Sequence, residues 1–454
     1  MSPASLADKC TIFLSFARAR WGYRFRSREA LMVWQDRRIA RYLREAVSAV
    51  GYYRDSRCKL LSELPIVDKA EVLAHFRDFN ARALTIEVAL QLALRTEERA
   101  TFLPVHPHGV TVGLSSGTSG RQGVFLVDAR ERAVWAGTIL ARILDSRSLA
   151  QLLNPFAPRL RIGLVLRANS NLYTAVNSGR VDFQFLNVGT PIRELASALE
   201  SRAPHILVAP ASVLRLLAEA QLAGRLKLQP RQVVSVAEVL ELDDAVSIER
   251  AWGRKPTQIY QCTEGFLGYS CDAGSIHLNE EFVRFEPQWL DERRERFTPL
   301  VTDFTRTTQI FARYRLDDVL RVDPNPCPCG RVTLRLAAIE GRCDDVLWLR
   351  DWKSSELQPV FPDVLRGVIA AARLEIADYR IAQVGDRWEV RVHASRDEVG
   401  ASNALVGLLS ETCQRLGWRP PRLERHSWIE AGDDTKRRRI RCVSRPDESG
   451  ACAS

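Results

Sequence analysis

Val112–Gly113–Leu114–Ser115–Ser116–Gly117–Thr118–Ser119–Gly120–Arg121–Gln122–Gly123 is the stretch on which the reading of this chain turns. From Ser115 to Gly123 it holds three glycines and four hydroxyl residues in nine positions. Such a loop presents many backbone N–H and hydroxyl donors, the chemistry needed to wrap polyphosphate oxygens. No Gly-Lys-Ser/Thr follows, so it is not a Walker loop, and a P-loop NTPase is disfavoured. Taken alone, a Ser/Gly-rich stretch also fits a plain surface loop, the lesser of the two readings.

After residue 110 the sequence alternates short apolar runs with helical patterns. Ile162–Leu166, Ile206–Val208, Val233–Val236 and Gln258–Tyr260 read as buried strands; Ile192–Glu200, Ser212–Leu222 and Asp243–Trp252 read as helices. That alternation predicts an α/β domain with a largely parallel sheet. Upstream, Leu31, Trp34, Ile39, Leu43 and Val47 recur at helical spacing between Arg28 and Val50, and Leu64–Lys69 reads as a turn into another helix. Past Asp345 two strands (Arg380–Val384, Trp388–Val392) and a helix (Ala404–Leu416) describe a small α+β unit.

The loop has company further along: Ala237–Glu238, Tyr260–Gln261–Cys262–Thr263–Glu264, Arg313–Tyr314–Arg315–Leu316–Asp317–Asp318 and Gly341–Arg342–Cys343–Asp344–Asp345. In this order the set resembles the signatures of the adenylate-forming superfamily (acyl-CoA ligases, aryl acid ligases, luciferases), over about residues 50–440. Cys327–Pro328–Cys329–Gly330 ahead of the last motif is similar to the phenylacetate–CoA ligase branch, which also holds synthetases that adenylylate a deazaflavin coenzyme. The resemblance implies a large N-terminal ATP- and substrate-binding domain with parallel sheets, residues 1–342. A hinge would join it to a small mobile α+β domain, residues 343–454. It implies ATP-dependent activation of an aryl or acyl carboxylic acid to an acyl-adenylate. Transfer to a thiol, of CoA or of an acyl carrier protein, or to another nucleophile would then release AMP.

The same resemblance implies the roles. Ser115, Ser116, Gly117, Thr118, Ser119 and Gly120 cradle the β- and γ-phosphates. Ala237–Glu238 lies beside adenine and Tyr260 stacks on it, Asp318 takes the ribose hydroxyls and Arg342 belongs to the hinge. Glu264 holds Mg²⁺ as a hard oxygen ligand, with Thr263 by the α-phosphate. Lys436, in Gly432–Arg439, falls where the family keeps a catalytic lysine. Two departures stand out: Gln261 and Asp317 replace glycines. Gln261 sits where the family places the carboxylate substrate, so an ordinary phenylacetate pocket is not expected. His106 and His108 fit either a surface role or contacts to a carboxylate; Trp135, Asn169, Asn171 and Tyr173 are candidates for the acyl pocket.

Composition narrows the rest. The 454 residues include ten cysteines, too sparse for a secreted disulfide scaffold. No apolar run approaches the roughly 18 residues of a membrane span, and the N-terminus lacks a signal-peptide pattern, which reads as a cytoplasmic protein without a membrane partner. The formal charge of +10 is scattered, with one tight run at Lys436–Arg439, which argues against nucleic acid and for an enzyme of phosphate-bearing substrates. Cys271 and His277 with Cys327 and Cys329 make a closed set of the kind that holds structural zinc. The rival readings are an adenylyltransferase that leaves AMP on a hydroxyl product and, more distantly, a zinc-containing nucleic-acid-binding protein. A homodimer is compatible with the sequence.

Overall fold

The apolar runs of the middle third become the strands of a sheet because each is covered on both faces, which selects continuous Val, Ile and Leu. The computed structural model describes residues 6–54, 60–99, 109–114, 123–166, 179–188, 190–342, 345–353, 355, 357–360, 362–372, 374–429 and 439–446. The chain forms two compact units, Met1–Leu316 with Arg321–Ala338, and Asp317–Leu320 with Ile339–Ser454. Among the described residues no helix is long and apolar enough to cross a membrane.

The first unit begins with helices α1 (Leu6–Ala17), α2 (Arg28–Glu45), α3 (Lys69–Ala74) and α4 (Ile86–Arg99). Ser27 caps α2, its hydroxyl accepting from Ala30 N–H, and Leu31, Gln35, Ile39, Tyr42 and Leu43 form its buried stripe. Arg28 at the head of α2 grips Glu280 through both guanidinium Nη atoms, and Gln35 donates to the Glu280 carbonyl at 2.6 Å.

Strands β1 (Thr111–Leu114) and β2 (Val124–Val127) form a separate antiparallel hairpin. Next come α5 (Ala129–Ile143), α6 (Ser146–Leu153), β3 (Leu160–Leu166) and β4 (Val181–Asn187). Helices α7 (Ile192–Arg202), α8 (Ala211–Leu222) and α9 (Leu242–Trp252) alternate with β5 (Ile206–Ala209), β6 (Gln232–Val236) and β7 (Thr257–Cys262). The remaining strands are β8 (Gly265–Ser270), β9 (Ile276–Leu278), β10 (Val283–Trp289), β11 (Arg296–Asp303), β12 (Tyr314–Arg315), β13 (Asp318–Val322) and β14 (Arg335–Arg342).

The main sheet runs β10-β11-β13-β14-β9-β8-β7-β6-β5-β3-β4, with β12 on β11; Arg321–Val322 and Arg335–Ala338 are the parts of β13 and β14 that belong to this unit. Its parallel portion is β4-β3-β5-β6-β7, and antiparallel pairing starts at β7–β8. One face of that portion is closed by α7–α9, where Val165, Leu207, Val233, Leu214 and Trp252 share a core; α5 lies over the other.

The hairpin that flanks the Ser/Gly loop depends on one glycine. Gly113 pairs with Phe125, and a Cβ at Gly113 would stand 2.1 Å from the end of the Phe125 ring, which packs against Val127 and Trp135. Gly113→Ala is therefore expected to destabilise the protein by about 1–3 kcal/mol through overpacking. Denaturant melting checks this, and adding Phe125→Leu should recover most of the loss.

The second unit contains β15 (Leu347–Arg350), β16 (Leu357–Val360), α10 (Pro362–Ala372), β17 (Asp378–Val384), β18 (Arg387–His393), α11 (Glu398–Arg415), β19 (Arg422–His426) and β20 (Ile440–Ser444). Its sheet order is β19-β18-β17-β20, packed around fully buried Trp388. Gln383 ties the β15–β16 hairpin to this sheet, accepting from Trp348 N–H at 2.7 Å and donating to its carbonyl at 2.8 Å.

Candidate functional site

Strands β6 and β7 are parallel neighbours, so the residues that follow them emerge at the same sheet edge. That edge is where open α/β sheets bind ligands. Ala237 follows β6 with φ +69°, a left-handed conformation that costs a residue with a Cβ roughly 1 kcal/mol. Glu238 holds the turn in place. Its Oε2 accepts from the backbone N–H of Ser212 at 2.9 Å, in the first turn of α8, where the N-cap Pro210 makes no side-chain cap. A carboxylate at a helix N-terminus is worth about 0.5–2 kcal/mol from the orphan donors and the dipole together.

At the end of β7, Cys262 pairs with Gly265, so Thr263 and Glu264 form a two-residue hairpin turn. Neither has the positive φ that two-residue hairpins favour, so turn propensity does not explain these residues. The Thr263 hydroxyl donates to Glu264 Oε2 at 2.8 Å, placing a hydroxyl and a carboxylate together at the tip. Below them Tyr260 is buried and pairs with Gly268. A Cβ at Gly268 would lie 2.9 Å from the His277 carbonyl on β9, so glycine there lets the two strands approach beside Tyr260. A bulge at Tyr260/Gln261 shifts the register just before the tip.

Asp303, which no motif singles out, lies behind this hairpin: a Cβ on Gly265 would stand 2.9 Å from its Oδ2. Burial pushes its carboxyl up to about 6, against the Thr305 hydroxyl and N–H, which donate to Oδ1 at 2.6 and 2.9 Å, and the nearby Arg306. Only its place in the sheet reveals it.

Of the other expected site residues, Ser115, Ser116, Gly117, Thr118, Ser119, Gly120 and Lys436 lie outside the described residues, as do His106, His108, Asn169, Asn171 and Tyr173. The pairing of Leu114 with Val124 brackets the loop between them. Asp318 opens β13 in the second unit, and Arg342 closes β14, its side chain outside the description.

The cysteines and histidine expected as metal ligands come together. Cys271 follows β8, His277 lies on β9, and Cys327 and Cys329 precede β14, which pairs with β9 at Arg335–His277. The four ligand atoms all lie within 4.8 Å of one another. Two similar turns present the thiols: Gly274 N–H donates to the Cys271 carbonyl at 2.8 Å and Gly330 N–H to the Cys327 carbonyl at 3.0 Å, with φ of +79° and +71°.

Tetrahedral zinc, with bonds of about 2.3 Å to sulfur and 2.0 Å to nitrogen, separates sulfurs by about 3.8 Å and sulfur from nitrogen by about 3.5 Å. Here Cys271 Sγ and Cys327 Sγ are 3.6 Å apart, and Cys329 Sγ and His277 Nε2 are 3.4 Å apart. The Thr333 carbonyl and hydroxyl lie 3.1 Å from His277 Nδ1, which leaves Nε2 turned to the thiols. The residues fit the ion.

No protein-family model and no curated protein matches the sequence. Solved structures do. A 2-hydroxyisobutyryl-CoA ligase, in the postadenylation state with an acyl-AMP, superposes with a TM-score of 0.60 at 17% identity, covering 93% of this chain and 90% of that one. A fatty acyl-adenylate ligase from work on E. coli and L. pneumophila gives 0.51 at 11% identity, over 72% of this chain and 67% of its own. An anthranilate CoA ligase in complex with anthranoyl-AMP gives 0.50 at 14% identity, over 73% and 66%. The fold is that of the adenylate-forming ligases.

Proposed function

We propose that this chain, with the fold of the adenylate-forming ligases, uses ATP and Mg²⁺ to convert a small carboxylic acid to its acyl-adenylate and passes the acyl group to a thiol, of CoA or of a carrier protein. The observation that carries the reading is the pair of turns at one sheet edge, Ala237–Glu238 after β6 and Thr263–Glu264 after β7. In the first half-reaction a carboxylate oxygen attacks the α-phosphorus, the bond to the bridging β-oxygen breaks, and pyrophosphate leaves. In the second the thiolate attacks the acyl carbon and AMP departs.

In this scheme Ser115–Gly120 hold the outer phosphates, Tyr260 faces adenine, Asp318 takes the ribose hydroxyls and Arg342 lies at the hinge between residues 1–342 and 343–454. Thr263 and Glu264 present hard oxygens where the α-phosphate is held. Mg²⁺ supplies charge neutralisation at the phosphates. Cys271, His277, Cys327 and Cys329 hold a structural zinc, whose four protein ligands leave no position for chemistry.

Acid-dependent exchange of labelled pyrophosphate into ATP tests the first half-reaction. Release of AMP with the product separates a ligase from an adenylyltransferase that keeps AMP on a hydroxyl. Glu264→Gln preserves shape and removes the charge, so exchange should fall about 10- to 100-fold and recover in part at raised Mg²⁺. Exchange unchanged in this variant would place the metal elsewhere.

A further inference from the structure

Helix α1 carries its apolar stripe on the side away from the protein. Leu6, Cys10, Phe13 and Leu14 recur at i, i+4, i+7 and i+8 and share one face, while Asp8, Thr11, Ile12, Ser15 and Phe16 share the other. The mixed face is the one turned inward. Phe16 is the buried residue of α1, and a Cβ on Gly137 of α5 would stand 2.3 Å from the Ile12 carbonyl oxygen and 2.9 Å from the Phe16 backbone nitrogen. The apolar face meets solvent: Leu6 is 78% exposed, Phe13 61% and Leu14 52%, and Trp21 just past the helix is 44% exposed.

The helix is held in this orientation. Glycine at 137 lets the backbone of α1 touch α5, and one π-helical turn after α1, Arg18–Gly22, is tied back to the same helix. Arg20 donates to the Ala141 and Leu144 carbonyls at 3.1 and 3.0 Å, and Arg142 donates to the Ala19 carbonyl at 2.9 Å. Rolling α1 to bury its stripe would break all three bonds. Two leucines, a phenylalanine and a tryptophan kept in water along an anchored helix mark a surface that meets something apolar.

Charge selects the partner. The first 54 residues hold eleven Lys and Arg against four Asp and Glu, so seven of the chain's ten net positive charges fall there. The basic residues are spread singly along the chain, but the net charge is not. Lys9 borders the stripe, and Arg18, Arg24 and Arg26, all exposed, follow it. A second copy of the chain would bring this charge against itself, whereas an anionic bilayer offers both an apolar layer and the opposite sign. We propose that α1 lies flat on an anionic phospholipid surface. Leu6, Phe13, Leu14 and Trp21 enter below the headgroups, and the basic residues meet the lipid phosphates. The expectation of no membrane partner came from the lack of a spanning run, and a helix lying along the interface needs none. This attachment is independent of the adenylation chemistry.

Flotation of the full chain with lipid vesicles tests this. Vesicles of phosphatidylcholine and phosphatidylglycerol in equal parts should carry the protein upward, and raised salt should release it. Affinity for phosphatidylcholine alone should be lower by at least about a hundredfold, since each basic residue near an anionic surface contributes about fivefold. Phe13→Ser with Leu14→Ser should weaken binding to the mixed vesicles about tenfold or more, because affinity follows the apolar area buried. Lys9→Gln with Arg18→Gln should weaken it about twentyfold. All four side chains are exposed, so both variants should melt with the unaltered protein.

Protein that stays at the bottom of the gradient with the mixed vesicles would overturn the proposal, as would binding that neither folded variant weakens. Equal binding to phosphatidylcholine alone would overturn it too, because charge would then play no part. A dimer in analytical ultracentrifugation that Phe13→Ser with Leu14→Ser dissolves would hand the stripe to a second copy of the chain and overturn the lipid assignment.

Discussion

A chain carrying Cys327→Ser together with Cys329→Ser is expected to accumulate mainly as insoluble protein, while the unaltered chain carries about one zinc per molecule. The four ligand atoms come from two places in the sequence: Cys271 after β8 with His277 on β9, and, beginning 56 residues after Cys271, Cys327 and Cys329 in the segment before β14. An ion held there clamps three strands of the main sheet. Structural zinc contributes an apparent ~10–16 kcal/mol in small domains, as much as the whole net stability of an ordinary fold. Without the two thiolates, Cys271 and His277 keep half a coordination sphere. Their burial then works against folding, because a thiolate or imidazole without its partner is an uncompensated polar group. Metal analysis of the purified protein and soluble yield of the double variant are the measurements. Metal-free protein with normal melting would refute the assignment.

Lys436→Ala is expected to reduce formation of acyl-AMP from acid and ATP by about 10²–10³, the usual effect of removing one preorganised donor from a transition state. The residue lies outside the described residues, and its assignment rests on the family resemblance of Gly432–Arg439. In the proposed mechanism its ammonium serves only the first half-reaction. Consumption of a chemically supplied acyl-AMP by the acceptor should therefore survive the substitution. Loss of both half-reactions with an unchanged melting curve would refute that division of labour. Loss of neither would move the role to Arg437 or another cation of the run.

The parallel half of the main sheet was legible because its strands are short apolar runs between helical patterns. Expected Ile206–Val208 and Val233–Val236 correspond to Ile206–Ala209 and Gln232–Val236, and the helix expected from Asp243 to Trp252 starts at Leu242. The antiparallel half was not. In β10, Arg284, Glu286 and Gln288 alternate with Val283, Phe285 and Pro287, a mixed texture that a search for apolar runs passes over. At the candidate site, motifs mark residues that are close in sequence, such as Thr263 and Glu264. They do not mark the support that arrives from elsewhere: Ser212 N–H on Glu238, or Asp303 behind Gly265. The cysteine and histidine set was legible as chemistry, but only the β9–β14 pairing brings its halves together.

The two faces of the parallel strands have different freedoms. Side chains such as Val165, Leu207 and Val233 point into the core under α7–α9, where a changed volume is paid for in stability. Their neighbours Leu164 and Val208, with Val236 further along β6, belong to the opposite face and line a cavity under α5. Drift at one position therefore endangers the molecule, while drift at the next has room to be absorbed. Such a sheet is well suited to diversification. Descendants of one ancestor would come to differ on the α5 side of the sheet long before they differed in architecture, and residues free to vary would interleave, one for one, with residues that confer survival.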